Sequence, residues 1–202
     1  MTANPPHGIY VHPAALCESD EVGAGTRVWA FAHVMQGARV GADCNVGEGS
    51  FLEAGSVLGD RVTVKNHVLI WNGVVVADEA FIGPCVLFTN DRFPRSPRMR
   101  LPVVAERYES ADRWLERTHV DRGASLGAGA VILPGLSIGA YAVVGAAALV
   151  TRNVSAHRLV VGQPARPAGW ACRCGQRLDT GFACRACGQR YARRDETLEP
   201  LS

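Results

Sequence analysis

From Val22 the chain places an apolar side chain at every sixth position. Val22, Val28, Val34, Val40, Val46, Leu52, Leu58, Val64, Ile70, Val76, Ile82 and Phe88 are all Val, Leu, Ile or Phe. Hydrophobic residues make up 48% of the chain, so an unbroken run of this length has a chance of roughly one in several thousand per phase. A helix repeats every 3.6 residues and a plain strand every two, and neither gives six. A companion series four positions after each anchor, Thr26, Ala32, Ala38, Cys44, Ser50, Ser56, Val62 and onward, is small or β-branched. Glycine follows many anchors, as at Gly23, Gly41, Gly47 and Gly59. These features describe a short strand, a tight corner and another strand. The anchor fills the interior, the small residue sits near the corner, and glycine is expected to relieve a corner with positive φ. Stacked coils of this kind bury one continuous core in which each coil touches only its neighbours. The expected fold class is all-β, a β-solenoid, and the repeat by itself does not set its hand.

A second series starts at Val120 and runs through Leu126, Ile132, Ile138, Val144 and Val150. The step from Phe88 to Val120 is five hexads plus two, so the two series are out of phase. An insertion is therefore expected to leave the solenoid over 89–118. That stretch lacks the hexad and carries Pro94, Pro97 and Pro102, and connections this long are usually functional or disordered.

Three local strings narrow the reading: VWAFAHV at 28–34, IGPCVLFTNDRFPRS at 82–96 and VVGQPARPAGWACRCG at 160–175. The hexads resemble the left-handed parallel β-helix of the hexapeptide-repeat acyltransferase superfamily. The three strings are similar to nucleotide-sugar N-acetyltransferases that modify a 3-amino group during synthesis of lipopolysaccharide, other surface glycans or glycosylated metabolites. This resemblance implies acetyl-CoA as co-substrate. It also implies a homotrimer with parallel axes and active sites between subunits, where closed symmetry gives three equal clefts. The implied domains are the β-helix over 1–169, a zinc ribbon over 170–192 and a polar tail over 193–202.

The chemistry requires a neutral amine to attack a thioester carbon. The proton then passes to a base, usually His, or to the departing sulfur. Positioning and backbone donors could carry much of the rate. The resemblance assigns amine orientation to Asn90. Asn accepts and donates but is no strong base, and a turn role ahead of Asp91 is the alternative. His67 is the candidate base. His33, Glu48 and Asn66 fall outside the anchor series and are candidate sugar contacts or plain solvated residues. The insertion holds Arg92, Arg95, Arg98 and Arg100, a fork-shaped match to a diphosphate or a solvated charge run; Arg92 and Arg95 are the substrate candidates. A carboxylate at Asp91 would repel a sugar carboxylate, which favours a neutral TDP-linked 3-amino-deoxyhexose over a UDP-linked uronate. For CoA the candidates are Gly145, Ala147, Ala148, Pro164 and Arg166. His7 and His12 precede the regular hexads and read as structural, as do His119 and His157.

Four of the seven cysteines crowd near the C-terminal end: Cys172, Cys174, Cys184 and Cys187. Two close pairs of thiolates suit a tetrahedral structural zinc site, with iron, a disulfide or free thiols as the alternatives. Metal would supply folding energy that about 30 residues cannot supply alone. Such a ribbon would cap the open solenoid end. Cys44 reads as a buried filler.

Net charge is +2, from 21 basic and 19 acidic side chains, which argues against nucleic acid as partner. No signal pattern opens the chain, and the longest apolar run, 140–150, is too short to span a bilayer. A cytoplasmic location away from membranes is expected. Three alternatives stay open. An O-acyltransferase or serine-type acetyltransferase on the same solenoid would show a clear His base. A γ-carbonic-anhydrase-type hydratase would need three converging histidines. A non-catalytic trimeric scaffold would use the ribbon as a binding module.

Overall fold

The computed structural model describes residues 8–195 and 197–201; His7 and, in the expected tail, positions 196 and 202 lie outside the described residues. Short strands of two or three residues end on the anchors from Val28 on, as in Arg27–Val28, His33–Val34 and Arg39–Val40. Three such strands make one coil. Each strand then pairs in parallel with its equivalent one coil on, three hexads along the chain: Arg27 with Asn45, His33 with Phe51, and Arg39 with Val57. The result is a three-sided solenoid whose first, second and third faces carry nine, seven and five strands. The anchors from Val28 to Phe88 and from Val120 to Val150 are all buried, and so is the companion series from Thr26 to Val86. At the start of the series Val22 is half-buried. The hexad is thus one side of a triangle, and three hexads are the spacing that stacks side chains on one another.

The glycine expectation needs correction. Positive φ falls three positions after each anchor, from Gly25 to Cys85, and six of those eleven positions are not glycine: Phe31, Asp43, Arg61, His67, Glu79 and Cys85. The glycines directly after the anchors answer a different constraint. A Cβ on Gly47 would lie 2.6 Å from the Lys65 carbonyl carbon, and one on Gly139 would lie 2.5 Å from the Ala156 nitrogen. Neighbouring coils pass too close for a side chain there.

The insertion leaves after Leu87–Phe88 and rejoins at Thr118–Val120. Val76 pairs with Val120, where an uninterrupted coil would pair it with Pro94. The detour is not a whole number of hexads, so the phase of the anchors slips. Thr118, expected in the insertion, is already buried in the third face. The insertion contains a short α-helix, Pro102–Arg107, and a 3₁₀ turn, Ala111–Arg113, neither with a buried residue.

At the far end Arg166–Trp170 turns back antiparallel on Arg158–Val161 and finishes the first face. Beyond it a small second core gathers Trp170, Cys172, Leu178, Cys184, Tyr191 and Leu198. The polar tail expected from 193 is mostly a hairpin, with Tyr191–Arg194 paired to Thr197–Pro200. Leu198 is its buried member, an apolar residue that a composition-based reading of the tail passes over. Among the described residues no helix is long and apolar enough to cross a membrane.

Candidate functional site

The solenoid sorts the candidate residues by corner. The corner joining the first face to the second carries Glu48, Asn66 and His67, all exposed. Each left-handed residue there donates its N–H to the coil before it: His67 to the Glu48 carbonyl at 2.9 Å and Cys85 to the Asn66 carbonyl at 3.0 Å. The backbones are therefore fixed while the side chains face solvent. Further along the same corner lie Gly145, Ala147 and Ala148. Ala147 is exposed with φ of 55°. Ala148 is 0% exposed, so its methyl is part of the core and cannot touch CoA as expected. Gly145 leaves room only because it lacks a Cβ, which would meet Val161 at 2.8 Å.

Asn90 lies on the next corner, between the second and third faces, where the insertion departs. Its Nδ2 donates to the Asn72 carbonyl at 3.2 Å, and its own carbonyl accepts the Glu116 N–H at 2.9 Å. Within one chain Asn90 and His67 lie on different corners, at the two edges of the second face.

Asp91 does not behave as expected. Tyr108 Oη donates to its Oδ2 at 2.6 Å, the Phe93 N–H donates to Oδ1 at 2.9 Å, and Arg107 pairs with it. Burial alone would raise its pKa, but these three donors outweigh burial and hold it below the usual value. A carboxylate neutralised by Arg107 cannot supply the repulsion that sequence reasoning assigned to it. Arg92 is likewise engaged, donating from Nε and Nη2 to both Glu116 oxygens at 2.7 and 2.6 Å. Arg95 is exposed, with its N–H held by Tyr108 Oη at 2.9 Å. Neither Arg107 nor Tyr108 had a sequence signal, because their pairing with Asp91 follows no repeat.

His33 points outward on the second face. Its Nε2 lies 3.0 Å from Glu18 Oε2, and this hydrogen bond lowers the Glu18 pKa. Its ring stands edge-on to Phe51 at 5.3 Å.

The segment 162–165 latches onto the last coil. Leu149 N–H donates to the Gly162 carbonyl at 3.0 Å, and Ala165 N–H to the Leu149 carbonyl at 2.7 Å. Gln163 Nε2 donates to the Ala147 carbonyl at 2.7 Å. Pro164 and Arg166 are exposed. Arg166 joins Arg152 and Arg158, which sequence reasoning missed, around a groove of about 230 Å³. Arginines suit phosphate oxygens.

The sulfur atoms of Cys172, Cys174, Cys184 and Cys187 all lie within 4.8 Å of one another. The Cys172–Cys187 and Cys174–Cys184 separations are 3.5 Å, and none of these cysteines is in a disulfide. Metal–sulfur bonds of about 2.3 Å at tetrahedral angles set sulfurs about 3.8 Å apart, so the donor set fits such an ion. Tyr191 Oη lies 3.2 Å from Cys172 Sγ and accepts the Arg173 N–H at 3.0 Å, a contact that fixes the thiol's orientation. Cys44 is buried as expected, and burial raises its pKa.

The chain is thus a parallel solenoid with an open corner, an inserted arm and a basic groove at its far end. Over 195 residues, 95% of both chains, it is 41% identical to dTDP-3-amino-3,6-dideoxy-alpha-D-galactopyranose 3-N-acetyltransferase of Aneurinibacillus thermoaerophilus. The bifunctional protein GlmU of Alkalilimnicola ehrlichii is 29% identical over 86% of this chain, which spans only 37% of GlmU. Among solved structures, a hexapeptide-repeat-containing acetyltransferase from Vibrio cholerae complexed with acetyl coenzyme A matches with TM-score 0.53 and 23% identity. That match covers 66% of this chain and 70% of the other. The acetyltransferase domain of PglB from Neisseria gonorrhoeae matches with TM-score 0.51 and 20% identity over 79% of this chain and 57% of that one. No protein-family model matches the chain. The chain belongs to the hexapeptide-repeat acyltransferase family, and its fold is that family's left-handed β-helix.

Proposed function

We propose that this protein transfers acetyl from acetyl-CoA to the 3-amino group of a nucleotide-linked amino sugar, with a dTDP-3-amino-deoxyhexose as the favoured acceptor. The carrying observation is the 41% identity, along 95% of both chains, to a relative with that activity. The amine attacks the thioester carbon, the C–N bond forms, the C–S bond breaks, and the amine proton leaves with the sulfur or through His67. With Nδ2 donating to the Asn72 carbonyl, Asn90 Oδ1 would serve as the acceptor for the amine N–H. Backbone N–H groups at the glycine-lined corner would serve the developing oxyanion. The basic groove at Arg152, Arg158 and Arg166 suits the phosphates of CoA.

In this reading a neighbouring subunit of a homotrimer completes the site, and the placement of Asn90 and His67 on different corners supports it. Exposed Leu16 and Leu87 on the second face, between those two corners, give that contact an apolar component. The four cysteines hold a structural zinc ion. The setting is cytoplasmic biosynthesis of a surface glycan or glycosylated metabolite.

The test is thiol release from acetyl-CoA with a panel of TDP- and UDP-linked 3-amino and 4-amino sugars. Fastest release is expected with a dTDP-3-amino-3,6-dideoxyhexose, and silence across the panel would sink the reading. Asn90→Ala should lower kcat by roughly a hundredfold, the scale of losing one oriented polar group. Mixing impaired Asn90→Ala subunits with impaired His67→Ala subunits should restore part of the activity if sites are shared. Failure of every mixture would place each site within one chain.

A further inference from the structure

On the outer side of the first face, near its N-terminal end, lies a groove of about 480 Å³ lined by Trp29, Asn45, Gly47, Glu48, Lys65 and Asn66, with His12 at its edge. This lies within the ~300–1,000 Å³ usual for small-molecule sites. Trp29 follows the anchor Val28 and cannot turn inward. Its Nε1 donates to Asn45 Oδ1 at 2.7 Å, and the Tyr10 ring packs on it at 5.5 Å. The indole is thus locked on two sides and still 36% exposed. One coil on, the matching position is Gly47, which puts no side chain over the ring. An indole held rigid and left open is a platform for a flat partner.

Two coils on in the same column stands Lys65, the single lysine of the chain. Lys65 and Glu48 line the same groove, yet neither forms an ion pair among the described residues. Beyond them the column is bare, with Gly83, Gly127 and then Gly145. Coils stack at about 4.8 Å, so Lys65 is roughly 10 Å from Trp29 along the axis and Gly145 roughly 24 Å. The order along the axis is aromatic platform, cation, glycine trough, then the segment that latches onto the last coil.

We infer that this groove is the subsite for the nucleoside diphosphate of the acceptor, with its planar base stacked on Trp29 and its diphosphate at Lys65. Glu48 and Asn66 then face ribose or sugar hydroxyls. The order matters for the reaction. With the base at Trp29 and the phosphates at Lys65, the sugar extends into the glycine trough toward an acyl carrier entering from the Gly145 end. A carrier bound in the opposite sense would place an adenine on Trp29, and the two cases separate experimentally. The inference rests on the acceptor proposed above being nucleotide-linked.

The test uses the full-length protein and dTDP, UDP and coenzyme A as probes, with binding followed by calorimetry and tryptophan emission. A nucleoside diphosphate should bind wild type and quench emission. Trp29→Leu should weaken that binding about tenfold, in line with base–aromatic stacking. The same variant should raise KM for the amino-sugar nucleotide by a similar factor, with a smaller effect on kcat and none on KM for acetyl-CoA. Lys65→Met should weaken dTDP binding and flatten its salt dependence. Trp29→Phe, which keeps a ring, should retain most of the affinity and serves if the leucine variant does not fold. Unchanged dTDP affinity in both Trp29 variants, no binding to wild type, or a rise in the acetyl-CoA KM alone would each overturn the inference. Because dTDP binding is read without turnover, the two readings fail separately. Binding lost in Trp29→Leu with no amino sugar acetylated keeps the subsite and sinks the proposed activity. Turnover untouched by Trp29→Leu does the reverse.

Discussion

The solenoid gathers its buried side chains, from Val28 to Val160, into one continuous core, while the C-terminal module gathers only six, two of them cysteines. Apolar burial at about 25 cal/mol per Å² can hold the first together but not the second. The module replaces missing core with four convergent sulfurs. Its joint to the solenoid is a small aromatic stack: His157 lies 5.2 Å from Tyr141 and 5.0 Å from Tyr191, and its ring nitrogen is 2.9 Å from the Ala171 carbonyl. One region is stable because it repeats. The other depends on a few atoms that do not.

Metal removal should separate the two most sharply. Structural zinc in small domains contributes about 10–16 kcal/mol of folding free energy. Dialysis against a strong chelator, or Cys184→Ser, should therefore unfold the module and shift Trp170 emission to the red. The strand signal in circular dichroism should persist, since the solenoid core is untouched. If no metal is released from native protein, the module stands on its own core and the contrast is wrong. If the solenoid melts at the same time, the module is a thermodynamically coupled cap.

The reverse experiment is a cavity in the solenoid. Ile132 is 0% exposed between coils, and Ile132→Ala should cost about 2–5 kcal/mol. Metal content should not change. A smaller loss, about 1–3 kcal/mol from overpacking, is expected for Gly139→Ala, whose Cβ would meet the Ala156 backbone at 2.5 Å. Thermal melts by circular dichroism check both. An unchanged melt for Gly139→Ala would show that coils can part at no cost.

The same contrast explains what could be read in advance. Val28 to Phe88 announce themselves because each coil repeats the same burial, so the solenoid follows from spacing, whereas the end of the insertion at Thr118 does not. The pairs at the candidate site follow the full coil instead of the hexad: Asn72 with Asn90, and, at slightly shorter range, Trp29 with Asn45 and His33 with Glu18. They become legible once three hexads are known to make one turn. Asp91 with Arg107 and Tyr108 had no such rule, because the insertion has its own local fold. Ala148 was misplaced for a related reason. It sits at the companion position, which points inward at every coil. The hairpin around Leu198 escaped because one buried leucine among charged neighbours makes no pattern.

The smallest effect concerns the third corner, where the solenoid also uses charge. Glu79 accepts from Arg122 Nε and Nη2, both at 2.8 Å, and from Arg61 Nε at 3.3 Å. The hydrogen bond from Arg122, the larger cause, and the two positive charges lower its pKa from 4.5 to about 2. A carboxyl depressed in the folded state stabilises above its unfolded pKa, and that stabilisation fades as pH falls from about 4.5 toward about 2. The group is exposed at the surface, so salt screens the effect. Glu79→Gln should lower the melting temperature slightly at neutral pH and low salt, with the difference closing in high salt and below about pH 3. If the four cysteines hold the proposed metal, the module should come apart at higher pH than this, because thiolates lose metal as they protonate. Melts followed separately by Trp170 emission and by strand signal across pH would show two acid transitions. A single shared transition would mean that the corner charges and the cysteine module do not set separate limits.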